Sequence, residues 1–349
     1  MKSKATYQKI WEDNIIYDET VCLIQDENGV KRGRLLFAPT EIISIKDATL
    51  TKTFDKKEYL CVGDEIIATE NSTLPYFTER NLKGMDLPDG YDLSTYQAKE
   101  GEILFTEGPG IVLHQIAVTY RHQGTWEGKL PECKIDSLPH LKETLQTHGK
   151  LKVVCYGDSI MTGCNASYRL KIPPYQKDFA RLFFQEIKKR HKVKVTLLNK
   201  AIGGMLSKGG KENIHHDVIC HHPDLVLLNY GMNDGSWKVS EGEYISNMKY
   251  MIDEIKKDHP NCEIILISSI IANPESAQHL GQESYYLPLE YLASLYQGVV
   301  CMDMTNFTKY LFTKKRGVDI LANNINHPSD FLVRQFVSNL LTLIGEDLC

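Results

Sequence analysis

From residue 151 onward the chain alternates short, near-continuous apolar runs with amphipathic stretches, and this pattern constrains the fold more than any other feature. The apolar runs fall at residues 151–156, 193–199, 224–230, 262–269 and 299–303. Strands buried on both faces read in this way. Between the runs, Phe179, Leu182, Phe183 and Ile187 share one helical face, and Lys188, Lys189, Arg190 and Lys192 gather at its C-terminal end, where cations suit the helix dipole. Ile245, Met248, Ile252 and Ile255 make a second stripe that Pro260 closes; Phe331, Phe336, Leu340 and Leu343 make a third, after Pro328. Repeated βα units require a parallel sheet with right-handed crossovers. The expectation is an α/β, doubly wound, flavodoxin-like sheet of five strands.

The first part of the chain reads differently. Apolar runs at 21–24, 34–37, 42–45, 59–62, 65–69, 103–105 and 111–120 are separated by turn-forming clusters at 26–29, 88–90 and 108–110. No stretch there holds a 3.6-residue period. Residues 1–136 are therefore expected to form a smaller all-β, sandwich or jelly-roll-like accessory domain. Residues 137–150 read as a helical linker, opened by Pro139, with Leu138, Leu141 and Leu145 on one face and Gly149 at its end. Residues 151–349 hold the α/β domain.

Composition excludes several function classes. The net charge of −5 and the lack of a basic stripe argue against nucleic acid, whose affinity comes from neutralised phosphates. The N-terminal residues carry no apolar signal region, and no apolar run is long enough to span a bilayer. Nine cysteines are scattered without framework spacing, several inside apolar runs, so a reducing cytoplasmic location is expected, with no membrane partner. The oligomeric state is not legible.

Open α/β sheets bind ligands at the carboxyl ends of their strands, so the residues following each apolar run carry most information. After the first run come Gly157, Asp158 and Ser159, a tight turn that can lift a serine to the sheet edge. After the second come Gly203 and Gly204, where backbone N–H groups can approach a ligand. After the third come Asn233 and Asp234; an Asn amide aimed into the same crevice is a good oxyanion donor. Ahead of the last helical stripe come Asn324, His327 and Pro328. Each block alone reads as ordinary turn or capping chemistry. Together they set a nucleophile, a base and oxyanion donors on one edge, which is what acyl transfer needs.

These four blocks, in this order, resemble the SGNH (GDSL) hydrolase superfamily over roughly residues 150–349. The resemblance implies that Ser159 is the nucleophile and His327 its base, and that the Ser159 N–H, the Gly204 N–H and the Asn233 side chain form the oxyanion hole. It also implies an acyl-enzyme route that needs no metal and no other cofactor. The family usually carries Asp three residues before its histidine; here Asn324 stands there. Asn324 can orient the imidazole through its carbonyl oxygen, a backbone carbonyl can do so in a Ser–His dyad, and a carboxylate such as Asp319 or Asp303 is a further candidate. Asp158 reads as a brace for the turn.

A β domain ahead of the hydrolase domain is similar to the layout of family-2 carbohydrate esterases. That implies a substrate such as an acetylated oligosaccharide, or another small ester, with Tyr175 and Trp237 as candidate sugar-facing residues. The alternatives are a general short-chain carboxylesterase or lipase-like acylhydrolase, and a non-catalytic carbohydrate-binding protein on an esterase scaffold. His215, His216, Cys220, His221 and His222 crowd together before the third run, on the edge away from the crevice, and read as a polar helix end.

Overall fold

A computed structural model of the chain describes residues 7–346. Its α/β part is a five-stranded parallel sheet made of β10 (Lys150–Gly157), β11 (Lys194–Asn199), β12 (Leu225–Asn229), β13 (Glu263–Ile267) and β14 (Val299–Met302). The strand order is β11-β10-β12-β13-β14, all parallel. The chain leaves β10 for one neighbour and then crosses to the other, so the order reverses beside β10, where such sheets open a crevice.

The unbroken apolar runs are explained by burial on both faces. Along β10, Leu151, Val153 and Cys155 enter one core, whereas Val154 and Tyr156 enter the other. β12 divides in the same way, with Leu225 and Leu227 on one side and Val226 and Leu228 on the other. The first face is covered by helices Phe179–His191 and Asp330–Leu343, the second by Ser207–Asp217, Glu241–Asp258 and Tyr286–Ser294. At the amino edge, the buried Glu263 carboxylate accepts the His140 and Leu141 N–H groups, both at 2.8 Å. It thereby caps the linker helix Pro139–Gln146 and ties it to β13.

The N-terminal part is all-β, apart from short helical turns such as Glu79–Leu82. Its strands are β1 (Ile15–Gln25), β2 (Lys31–Arg34), β3 (Pro39–Asp47), β4 (Tyr59–Val62), β5 (Glu65–Ala68), β6 (Tyr76–Thr78), β7 (Ser94–Gln97), β8 (Glu102–Phe105) and β9 (Gln115–His122). They form a seven-stranded sheet, six strands in the order β3-β9-β1-β2-β5-β4 and β6 also on β1, and a separate β7-β8 hairpin. The long β1 links the path, because Ile15 to Cys22 pair with β9 and Ile24 to Gln25 with β2. The run at 111–120 is not one strand. Residues Val112–His114 make a 3-10 turn, closed by a 2.7 Å contact between His114 Nδ1 and the Gly110 carbonyl, and pairing begins only at Gln115.

The two parts share a core: Val21, Ile116 and Tyr120 join Leu332, Phe336 and the first face of the sheet in one cluster. A polar seam runs through it. Lys315 and Glu19 form an ion pair at 2.6 Å with side chains 1% and 0% exposed. Glu19 also accepts the Tyr120 hydroxyl and the Leu36 N–H, and Lys315 donates to the Arg34 carbonyl. Beside it, Asp319 accepts the Cys22 N–H at 2.8 Å and the Thr20 hydroxyl donates to the Asp319 carbonyl at 2.5 Å. The β7-β8 hairpin docks on the segment after β13, through a bridge between Ala98 and Ser276 and a bond from Gln278 to the Tyr96 hydroxyl. Among the described residues, no helix is long and apolar enough to cross a membrane.

Candidate active site

β10 ends at Gly157, whose Cβ, if present, would collide with the Asn229 carbonyl oxygen of β12. Glycine is therefore what lets the end of β10 lie this close to the β12 backbone. Asp158 then caps the four-residue helix Ser159–Thr162, its carboxylate accepting the Ile160 N–H at 2.9 Å. Burial, reinforced by the nearby Asp234 carboxylate, pushes the Asp158 carboxyl up to about 7. Asp158 braces the turn, and Ser159 is held, buried, at the first helical position just past the carboxyl end of β10.

His327 comes from the loop between the helix Gly317–Ile320 and the last helix. The loop closes on itself: Leu321 bridges Pro328, and the Ala322 N–H donates to the His327 carbonyl at 2.8 Å. Asn323 organises the turn from inside, its Oδ1 accepting the N–H groups of Ile325, Asn326 and His327 at 3.0, 2.9 and 2.9 Å. The imidazole Nε2 then lies 2.9 Å from Ser159 Oγ. Burial pushes the imidazole down to about 4, so the ring is neutral at neutral pH. A hydroxyl at this distance can pass its proton to such a ring.

The other face of the ring differs from the sequence expectation. The atom on His327 Nδ1 is Asn165 Oδ1, at 2.5 Å. Asn324 does not reach the ring. Its backbone lies in the left-handed region (φ 62°), and its side chain is spent on the Leu104 carbonyl at 2.9 Å and on the Asn273 amide at 2.9 Å. Gly317 packs so tightly there that a Cβ would strike Asn273 and Asn324. The carboxylates are engaged elsewhere: Asp319 holds Cys22 and Arg316, and Asp303 caps the helix Met304–Leu311. Asn165 lies beyond the short nucleophile helix, past Gly163, and its own φ of 59° puts it in the left-handed region that Asn tolerates. A polar residue able to hold such a φ, soon after Gly-Asp-Ser, was the only signal in the sequence.

Gly203 and Gly204 form the turn after β11. A Cβ on Gly203 would sit 3.9 Å from Ser159 Cβ, and Gly204 has φ 75°. Met205 N–H returns to the Ile202 carbonyl at 3.2 Å. Asn233 lies in the helix Met232–Ser236 after β12 and donates through Nδ2 to the Met205 carbonyl at 3.2 Å, which joins it to the glycine turn. Its neighbour Asp234 is buried and accepts from the Ser207 N–H and hydroxyl. The structure thus brings Ser159, His327 and the glycine turn together, with Asn233 on that turn. Trp237 is 75% exposed and Tyr175 is 55% exposed, both on the surface.

A serine–imidazole pair at the carboxyl edge of a five-stranded doubly wound sheet, with a glycine turn alongside, defines an SGNH-type hydrolase domain. The chain belongs to the GDSL-like Lipase/Acylhydrolase family, whose model matches residues 155–330. It is 28% identical over 140 residues to the uncharacterized lipoprotein YqeF of Bacillus subtilis (strain 168), a match covering 38% of this chain and 55% of that protein. The chain thus spans about half the length of the curated relative it matches. Among solved structures it is similar to Axe2, an acetylxylan esterase from Geobacillus stearothermophilus, with 20% identity, TM-score 0.46 and coverage of 57% of this chain and 95% of that one. It is also similar to a two-domain esterase active on acetylated mannans, co-crystallized with mannopentaose, with 16% identity, TM-score 0.47 and coverage of 61% and 54%.

Proposed function

We propose that this chain is a serine ester hydrolase that removes O-acetyl groups from carbohydrate hydroxyls through an acyl-enzyme intermediate. The observation that carries the reading is the 2.9 Å contact between Ser159 Oγ and the neutral, buried Nε2 of His327. Ser159 Oγ attacks the ester carbonyl carbon while its proton passes to Nε2. The tetrahedral intermediate collapses, the C–O bond to the sugar breaks, and Nε2 returns the proton to the leaving alcohol. Water then repeats the sequence on the acyl-enzyme and releases acetate.

The developing oxyanion is held by the N–H groups of Ser159 and Gly204 and by Asn233. The Ser159 N–H lies in the first turn of its helix, where no intrahelical acceptor exists. An amide nitrogen carries two hydrogens, and Asn233 spends one on Met205, leaving the other for substrate. Trp237 and Tyr175 offer exposed aromatic faces on which a sugar ring can stack. The eight free cysteines among the described residues favour a reducing, cytoplasmic setting and short oligosaccharides.

The acyl and alcohol preferences test this directly. Rates on 4-nitrophenyl acetate well above those on 4-nitrophenyl octanoate are expected, followed by acetate release from acetylated mannan, xylan or glucose oligosaccharides. Equal or faster octanoate turnover, with no acetate released from any sugar, would replace the carbohydrate reading with a lipase-like one.

A further inference from the structure

The Asn165 amide has a second partner, and it comes from the β domain. Nδ2 of Asn165 donates to the backbone carbonyl of Glu107, at 3.1 Å, in the loop after β8. A carbonyl oxygen can only accept, so the amide end facing it must be the nitrogen. The end facing His327 must then be Oδ1, which can also only accept. Nδ1 therefore carries the hydrogen, and Nε2 presents its lone pair to Ser159. Turning the amide over would set two oxygens against each other at Glu107 and place a donor on Nδ1. The ring would then hold its hydrogen on Nε2, the wrong tautomer for a base. Asn165 is buried, so water cannot substitute for either partner at low cost.

We propose that the β domain sets the tautomer of the base: the Glu107 carbonyl orients the Asn165 amide, which in turn fixes His327 as Nδ1–H. Asn165 is a positioning residue here, and the proposal rests on reading Ser159 and His327 as nucleophile and base. The Glu107 carbonyl is itself held by a small network. The buried Thr106 hydroxyl donates to the Asp92 carbonyl and accepts the Gly108 N–H at 2.9 Å, so the residues on both sides of Glu107 are pinned within the β domain.

The test reads the tautomer and the rate separately. Nitrogen-15 spectra of histidine-labelled protein without substrate should show His327 with a protonated, pyrrole-type Nδ1 and a pyridine-type Nε2. In Asn165→Ala an Nε2–H population should appear, with kcat falling a hundredfold or more and KM changing less than threefold. Asn165→Asp should recover at least tenfold of that loss, because a carboxylate also accepts from Nδ1–H. It should also move the acid limb of kcat/KM upward by at least one pH unit, because its charge favours the imidazolium. The other ionisable groups on the segments that meet at the ring are Asp158 beside Ser159, Cys164 beside Asn165, Asp330 at the start of the last helix, and Glu107, whose carbonyl holds Asn165. Burial raises the three carboxyls and weakens them as anions in acid, so the added aspartate dominates. Thr106→Val, wholly inside the β domain, should show the same mixture of tautomers in weaker form.

A wild-type Nε2–H tautomer overturns the proposal, whether or not the chain hydrolyses esters. So does an Asn165→Ala enzyme with unchanged kcat and pH profile. An unchanged tautomer and rate in Thr106→Val overturn the part assigned to the β domain. Turnover that survives Ser159→Ala removes the esterase reading instead, and leaves the tautomer result standing on its own.

Discussion

Replacing Lys315 with Met should loosen the junction between the two parts of the chain. The substitution keeps most of the side-chain volume but removes the Nζ that sits 2.6 Å from Glu19. Glu19 is fully buried and keeps two donors, the Tyr120 hydroxyl at 2.6 Å and the Leu36 N–H at 2.9 Å. Those bonds do not cancel its charge. Breaking a buried pair from one side typically costs about 3–5 kcal/mol, because the remaining ion is uncompensated. Unfolding entropy near 60 °C is about 2.1 cal/mol/K per residue, or about 0.7 kcal/mol per degree for 349 residues. The expected loss in Tm is therefore about 4–7 °C if the chain melts as one unit, and more if the junction opens first. Scanning calorimetry of Lys315→Met beside the double variant Lys315→Met, Glu19→Gln measures it. The double variant should regain part of the loss, since its glutamine is neutral and still hydrogen-bonded. A single variant that melts within one degree of wild type, or a double variant that melts lower still, would refute the reasoning.

Two further outcomes concern the site. The His327 imidazole is pushed down to about 4 by burial, so kcat/KM should stay flat as pH falls through 6 and drop only near pH 4. The same depressed value means that the unfolded chain takes up a proton below about 6.5 that the folded chain refuses; this contribution to stability is full above that pH and is lost as pH falls towards 4. A pH–rate series that falls with a midpoint above pH 6 would contradict the buried, uncharged ring. Asn233→Ala should lower kcat by about two to three orders of magnitude with little change in KM, as for the loss of one oxyanion donor; steady-state kinetics on an acetate ester would show it.

The sheet was legible because its strands are buried on both faces, and the apolar runs around Val153, Leu227 and Ile265 mark them without help from tertiary contacts. The placement of the candidates Ser159, Gly204, Asn233 and His327 along one sheet edge was readable for a related reason: they follow strands or precede the final helix, where such sheets open a crevice. Asn165 was not. It follows no strand directly, and its role appears only when residues 107, 165 and 327 meet in space. The family spacing pointed instead to Asn324, which the left-handed turn at that residue aims at Leu104 and Asn273. The Lys315–Glu19 seam was equally hidden, since Glu19 precedes the apolar run at 21–24 and a lone charge there reads as solvent-facing until its partner arrives from 296 positions away.

The most direct test of the account is rapid-quench mass spectrometry of the protein mixed with 4-nitrophenyl acetate, beside Ser159→Ala. The account predicts a burst of nitrophenol, with one acetyl group on the peptide carrying Ser159 that appears and then discharges; the variant should show neither. Turnover without a burst, acetyl carried on another residue, or equal turnover by the variant would contradict it.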